Sequence, residues 1–277
     1  VLVLLYLAVS LLAESQWHLS WSDEFDYDGP PSSENWTHLE GYLGFNKELQ
    51  RYTSDLRNAY VKDGVLRIEA HIDRISFSRF KQVKEILKSF DADYKKLSNQ
   101  EVTSARLVSY RKKEFSNAKV EVRARFCDTR GTWPAIWLLG DESKNPWPDC
   151  GEIDIMEHVG YDPNNIFFSV HNRNNSGNLY GTEQQGIFTM DGIENDFHIY
   201  SVEWDSTYIR GYVDGTLYFD LNKATNSSYD QWPFNNSFFL IINLAIGGDW
   251  GGVEGIDNAI FPASFIIDYA RIFKKEN

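Results

Sequence analysis

The strongest constraint on the fold of this chain is a repeated two-residue alternation of apolar and polar side chains in short runs. In Ala118–Phe126 (AKVEVRARF), Ala118, Val120, Val122, Ala124 and Phe126 fall on one side, and Lys119, Glu121, Arg123 and Arg125 on the other. Val65–Ala70, Tyr208–Val213 and Phe265–Phe273 repeat the pattern. Side chains alternate faces along a strand, so this period predicts strands buried on one side. Asp63-Gly64, Asp214-Gly215, Gly247-Gly248 and Gly251-Gly252 punctuate the runs as turns. Many short strands without regular helical interruption predict an all-β protein, a sandwich or jelly roll of two antiparallel sheets. The 277 residues show no internal repeat and fit one all-β domain.

Two segments depart from the alternation. The apolar, uncharged run at the start (VLVLLYLAVSLLA) is shorter than the ~20 residues of a membrane span. It reads as the apolar part of a secretory signal, so residues 1–16 are expected to be a signal peptide and 17–277 the folded domain. The mature protein is then expected outside the cell or in a periplasm, off the membrane, and as a monomer. Cys127 and Cys150 are left as either a disulfide or two thiols. The second departure is FKQVKEILKSFDADYKKL, where Phe80, Val83, Leu87 and Phe90 recur at helical spacing among lysines. It predicts an amphipathic helical insertion at about 76–100, packed on the sheet as a surface elaboration.

Charge and composition narrow the partners. Asp+Glu 40 against Lys+Arg 27 gives a net charge of -13. Nucleic-acid binding begins with neutralising phosphates by Lys and Arg, so nucleic acid is not the expected partner. Nine Trp, 15 Tyr and 18 Phe are a heavy aromatic load, part of it core, and Trp133, Trp137 and Trp147 stand close in sequence to a cluster of acids, where they would suit a binding cleft.

That cluster is Gly151–His158 (GEIDIMEH). In a regular strand Glu152 and Asp154 share a face with Ile153 and Ile155 on the other, and Glu157 falls on the aliphatic side. A β-bulge at Ile155-Met156 would absorb one residue and turn Glu157 back beside the other acids. Glu152 and Glu157 are then four strand steps apart, ~13 Å along the backbone. Two glutamates leaning together over that span approach the ~5–5.5 Å separation of a nucleophile and an acid/base in retaining glycoside hydrolysis. Crowding raises the pKa of one acid and leaves another ionised, as those two roles require. An acidic surface strand or a calcium site is the competing reading of the spacing. His158 is read as a core histidine.

GEIDIMEHVG resembles the E-x-D-x-x-E signature of family 16 glycoside hydrolases. RGTWPAIWLL, TSARLVS, Asn46–Thr53 (NKELQRYT), WSDEFD, FHIYSVEWD and NLAIGGDW resemble its laminarinase branch, the endo-β-1,3-glucanases. The resemblance implies a β-jelly roll with a cleft along a concave sheet. By position it implies Glu152 as nucleophile, Glu157 as acid/base and Asp154 as the residue orienting the nucleophile. It implies Asn46, Arg106, Trp133, Trp137 and His171 as sugar-binding residues. No cofactor is required for such chemistry, and a structural calcium at Glu24 and Gly64, largely through backbone oxygens, and Asp268 is implied only by the resemblance. The implied partner is a polysaccharide, β-1,3-glucan of the laminarin type, with mixed-linkage β-glucan as a side substrate. Marine galactans such as agarose or carrageenan, and a non-catalytic glucan-recognition role, are the alternatives. Gly41–Asn46 lacks the Gly- and Trp-rich spelling usual before this block, so the far end of the cleft departs from the pattern.

Overall fold

The computed structural model describes residues 17–174 and 184–275; the expected signal peptide lies outside the described residues. The alternation becomes strands where it is strictest. Ala118–Phe126 and Tyr208–Val213 are strands over those bounds, and the other two runs lie within Val65–Arg74 and Ala263–Lys275. Leu66, Ile68 and Ala70 are fully buried, as are Ala118, Val120, Val122 and Ala124. Asp63-Gly64 and Asp214-Gly215 make the two-residue hairpin turns, both residues of each pair having positive φ (54° and 74°, 48° and 76°). This geometry matches the right-handed twist of the flanking strands.

The strands form two sheets. The 10-stranded sheet runs in the order Thr216–Asn222, Tyr208–Val213, His198–Trp204, Ala118–Phe126, Ala263–Lys275, Val65–Arg74, Gln100–Ser104 and Gln50–Tyr52, with two more strands paired alongside. Its pairings are antiparallel except that of Gln50–Tyr52 with Gln100–Ser104. The 8-stranded sheet runs Gln184–Thr189, Asn165–His171, Glu152–Glu157, Thr132–Gly140, Phe238–Ile246, Arg106–Val108 and Thr37–His38, with one further short strand beside Phe238–Ile246. One large cluster between the sheets takes Ile136, Leu138, Ile153, Phe168, Leu240 and Ile242 from the second sheet and Val120, Val122, Tyr200 and Ile267 from the first. This two-sheet, all-β architecture is the expected one.

The helical insertion joins two paired strands, Val65–Arg74 and Gln100–Ser104, whose register brings Arg74 opposite Gln100. Ser76 caps the helix Phe77–Ser89 by accepting from the Arg79 N–H (3.2 Å). Val83 and Leu87 are fully buried in the main core, with Phe80 packed against it. A short 3-10 turn, Tyr94–Lys96, leads into the next strand. Cys127 and Cys150 are both free thiols.

Candidate active site

The second sheet has two faces of opposite character. Ile153, Ile155 and Met156 are fully buried in the inter-sheet core. Residues facing away from the core carry the acids, flanked by two smaller apolar clusters. One holds Val108, Leu139, Cys150, Phe239 and Ile241, with Trp137 and Trp147 against it. The other holds Trp133, Val159, Phe167 and Ala245, with Tyr161 and Trp250 against it.

Glu152–Glu157 is bulged where the acids require it. Against Asn165–His171, Asp154 pairs with Ser169 but Glu157 with Phe167, three residues against two. Against Thr132–Gly140, Trp137 pairs with Asp154 and Ile136 with Met156, so one residue is absorbed there too. Ile155 and Met156 therefore both enter the core, and Glu152, Asp154 and Glu157 share the outer face. Rigid strands on both sides of the acid strand fix this arrangement.

Each glutamate is held by an indole. Trp147 Nε1 donates to Glu152 Oε2 (2.8 Å) and Trp133 Nε1 donates to Glu157 Oε1 (3.0 Å). His171, directly opposite Glu152 in register, places Nε2 2.9 Å from Asp154 Oδ2 and 3.9 Å from Glu152 Oε1. Burial first, and then the charge of Asp154, pushes the Glu152 and Glu157 carboxyls well above the usual range. Burial works against a charge on His171, but Asp154 chiefly, and the two glutamates, outweigh it and push the imidazole up to about 10. The site thus pairs one cation with one buried carboxylate and leaves two glutamates that resist ionising together. The cation stands nearer Glu152, so the first negative charge belongs there and the remaining proton on Glu157.

Donor atoms of Glu152, Asp154 and His171 lie within 4.8 Å of one another, a spacing that would suit a metal ion. The same atoms already pair with one another, His171 Nε2 lying 2.9 Å from Asp154 Oδ2, an arrangement that suits proton and charge placement around the glutamates. At the expected calcium positions, the Glu24 carboxylate forms a two-pronged pair with Arg271 (2.9 and 2.7 Å) and Asp268 pairs with Arg123. These pairs engage the side chains of Glu24 and Asp268, whereas the expected site draws largely on the backbone oxygens of Glu24 and Gly64, on which the pairs do not bear.

The remaining expected residues lie on the same face. Arg106 is buried and stacks over the Trp137 ring, 4.6 Å from guanidinium carbon to centroid, and the Phe45 ring lies 5.7 Å from the same carbon. Trp137 is half-buried and donates to Asn243 Oδ1 (2.8 Å). Trp133 is only 9% exposed and meets Trp250 edge-on at 5.3 Å. Its polar edge serves Glu157, and little of its ring remains open for stacking. Asn46 is exposed at the rim. His158 is fully buried, stacked on Phe126 at 4.2 Å, with Nδ1 3.0 Å from Asn165 O, and burial pushes its pKa down to about 4. It is a neutral core residue.

Sequence reading passed over a polar row beside Arg106. Asn243 donates to the Tyr52 hydroxyl (3.2 Å), Tyr52 donates to Glu48 (3.3 Å), and Gln50 donates to the same Glu48 oxygen (2.6 Å). Burial raises the Glu48 pKa, and Arg106, Gln50, Tyr52 and Asn46 work in the other direction. The signal was present: Glu48, Gln50 and Tyr52 alternate, and Asn243 is the one polar residue in the nine-residue strand FFLIINLAI. Trp147 entered only as a neighbour of the acids, although its N–H holds one of them.

Two carboxyls on one bulged strand, each held by an indole and unequally placed about a buried cation, define a glycoside hydrolase of the two-carboxylate type. The profile of Glycosyl hydrolases family 16 matches residues 77–271, and the chain belongs to that family. It is similar to the beta-glucanase of Rhodothermus marinus, with 40% identity over 93% of this chain and 85% of the relative. It superposes on the X-ray structure of the laminarinase from Rhodothermus marinus with a TM-score of 0.82 and 39% identity, covering 95% of this chain and 99% of that one. A non-specific endo-beta-1,3(4)-glucanase from family GH16, co-crystallized with 1,3-beta-D-cellotriosyl-glucose, superposes with a TM-score of 0.81 at 33% identity over 94% of this chain and 96% of that one.

Proposed function

We propose that this chain is a retaining endo-β-1,3-glucanase that cuts internal bonds of laminarin-type glucans, with mixed-linkage β-glucan as a side substrate. The observation carrying this reading is the bulge at Ile155-Met156, which puts Glu152 and Glu157 on one face with the His171 cation nearer Glu152. The Glu152 carboxylate attacks the anomeric carbon and the glycosidic C–O bond breaks. Glu157 gives its proton to the departing oxygen. A water then attacks the glycosyl-enzyme, losing its proton to Glu157, and Glu152 is released as a carboxylate. Asp154 holds His171 in place and sets the charge around Glu152; neither forms a covalent bond to sugar, and His171 contacts the sugar bound at Glu152. Arg106, Trp137 and the Glu48 row provide apolar faces and hydrogen-bonding groups along the cleft, and Asn46 adds an amide at its rim. The similarity to glucanases supports β-1,3-glucan over galactans. Export through the N-terminal segment and action as a monomer complete the proposal.

The test is a substrate panel of laminarin, lichenan, agarose and carrageenan with wild type, Glu152→Gln and Glu157→Gln. Only β-1,3-containing glucans are expected to yield reducing ends, with either substitution nearly abolishing them. Release confined to agarose or carrageenan would sink the substrate reading. Full activity in both variants would sink the site, and laminarin binding without cleavage in the wild type would make the chain a recognition protein.

A further inference from the structure

We propose that the helical insertion at 75–99 is a brace for the cleft: it holds the loop carrying Phe45 and Asn46, and so sets how strongly the enzyme grips a glucan chain beyond the sugars at its acids. The inference rests on the reading of this cleft as a β-1,3-glucan site.

The loop needs an external clamp. Asn46 and Lys47 are consecutive non-glycine residues with left-handed φ of 48° and 56°. Such a conformation persists only where its surroundings impose it. The surroundings come from two sides. On one, the Phe90 ring at the end of the insertion helix packs closely on the bare backbone of Gly44, where a Cβ would meet it at 2.6 Å. Asp91, the next residue, reaches Lys47 Nζ at 3.6 Å. On the other side Asp249 pairs with the same Nζ at 3.3 Å, and its N–H donates to the Asn46 carbonyl (2.8 Å). A second tether runs through Glu101, which accepts from Tyr42 (2.9 Å) in the loop and from Arg79 (2.6 Å) in the helix.

The clamped loop meets the site at two points. Phe45, 54% exposed, lies against Arg106, its ring centroid 5.7 Å from the guanidinium carbon that also stacks on Trp137. Asp249 is followed by Trp250, which meets Trp133 edge-on, and Trp133 holds Glu157. The Asp91 side chain is 92% exposed, so its ion pair is screened and contributes little alone. The close contact of Phe90 with Gly44 carries more of the brace. A loop ordered in advance spares the bound glucan the cost of ordering it. Loosening it therefore weakens binding of chains long enough to reach Phe45 and Asn46, and leaves bond breaking intact.

The experiment compares Phe90→Ala, Phe90→Leu and Asp91→Asn with wild type on laminari-oligosaccharides from trimer to heptamer, together with amide exchange. In Phe90→Ala, KM for the heptamer is expected to rise by about fivefold, the order of the cost of ordering a side chain or two. The trimer KM and kcat at every length are expected to stay unchanged. Phe90→Leu restores most of the loss, Asp91→Asn gives a smaller shift, and exchange at the Glu48 and Asp249 amides speeds up in Phe90→Ala. The same length dependence as wild type, or an equal loss at every length with a fall in kcat, would overturn the proposal. Unchanged exchange would overturn it whatever the substrate. Failure of the glucan reading shows separately, as wild type inactive on every length.

Discussion

At the residue scale the two glutamates differ in what surrounds them, and that difference makes separable predictions. Each accepts one indole N–H, from Trp147 for Glu152 and from Trp133 for Glu157. A hydrogen bond to a carboxylate favours its charged form, so removing the donor raises that carboxyl further. Turnover needs Glu152 ionised and Glu157 protonated. Trp147→Phe should therefore move the acidic limb of the kcat/KM–pH profile upward, and Trp133→Phe the alkaline limb. Each shift should be about one to two pH units, since such a bond is worth ~1.5–3 kcal/mol and a unit is ~1.4 kcal/mol. Movement of the opposite limb in either variant would reverse the assignment of nucleophile and acid. Stability gives an independent check. Burial and Asp154 raise Glu152 from 4.5 to about 8 in the folded protein. Between those values the folded state holds a proton that the unfolded chain has released, so this group's contribution to stability falls as pH rises through that window. Glu152→Gln removes the titration. Its Tm relative to wild type should climb from pH 5 to 8 and level off above, as thermal scans across pH would show.

At the element scale the bulge is the feature on which the acids depend, and it was legible because the residue types conflict with regular alternation. Three acids and three aliphatic residues at the spacing of Glu152–Glu157 fit two faces only if one residue is absorbed. Deleting Ile155 tests this. The shortened strand alternates without a bulge, keeping Glu152, Asp154 and Glu157 on the cleft face and Met156 in the core. The variant should fold and retain measurable glucan hydrolysis, while losing ~2–5 kcal/mol of stability for a buried aliphatic that nothing replaces. A folded but inactive protein would mean that the bulge sets the separation of the acids as well as their face. The hairpins at Asp63-Gly64 and Asp214-Gly215 and the helix capped by Ser76 were readable for the same local reason: turn residues and periodicity act within a few positions. The parallel pairing of Gln50–Tyr52 with Gln100–Ser104 was not, because it joins segments 50 residues apart across the insertion and no local pattern encodes it. Nor was the partner of Phe90, since an apolar residue at helical spacing shows that it is buried and not against what. The resemblance supplied Arg106 and His171. Only the register, with His171 opposite Glu152 and Arg106 opposite Asn243, explains why these two stand at the site.

At the scale of the whole molecule, two stacked sheets free the outer face of one of them for an open polar and aromatic site. Surface pairs such as Arg123 with Asp268, Arg271 with Glu24 and Lys275 with Asp205 are each neutral, and the unmatched excess of acids, the full -13, gives the protein a net negative field. A neutral glucan does not feel that field, whereas a sulfated galactan does. Raising ionic strength from about 0.01 M to 0.15 M shortens the screening length from ~30 Å to ~8 Å. If the substrate is a neutral β-1,3-glucan, kcat/KM on laminarin should stay flat across that range, because no long-range steering contributes to encounter. Any slow cleavage of carrageenan should accelerate as salt screens the repulsion between protein and polymer. Since added salt acts on encounter and leaves the buried acids largely unscreened, the two titrations read the whole-molecule field apart from the chemistry. A laminarin rate that rises or falls severalfold with salt would mean that charged groups at the rim, Lys47 with Asp91 and Asp249 among them, take part in binding the neutral chain.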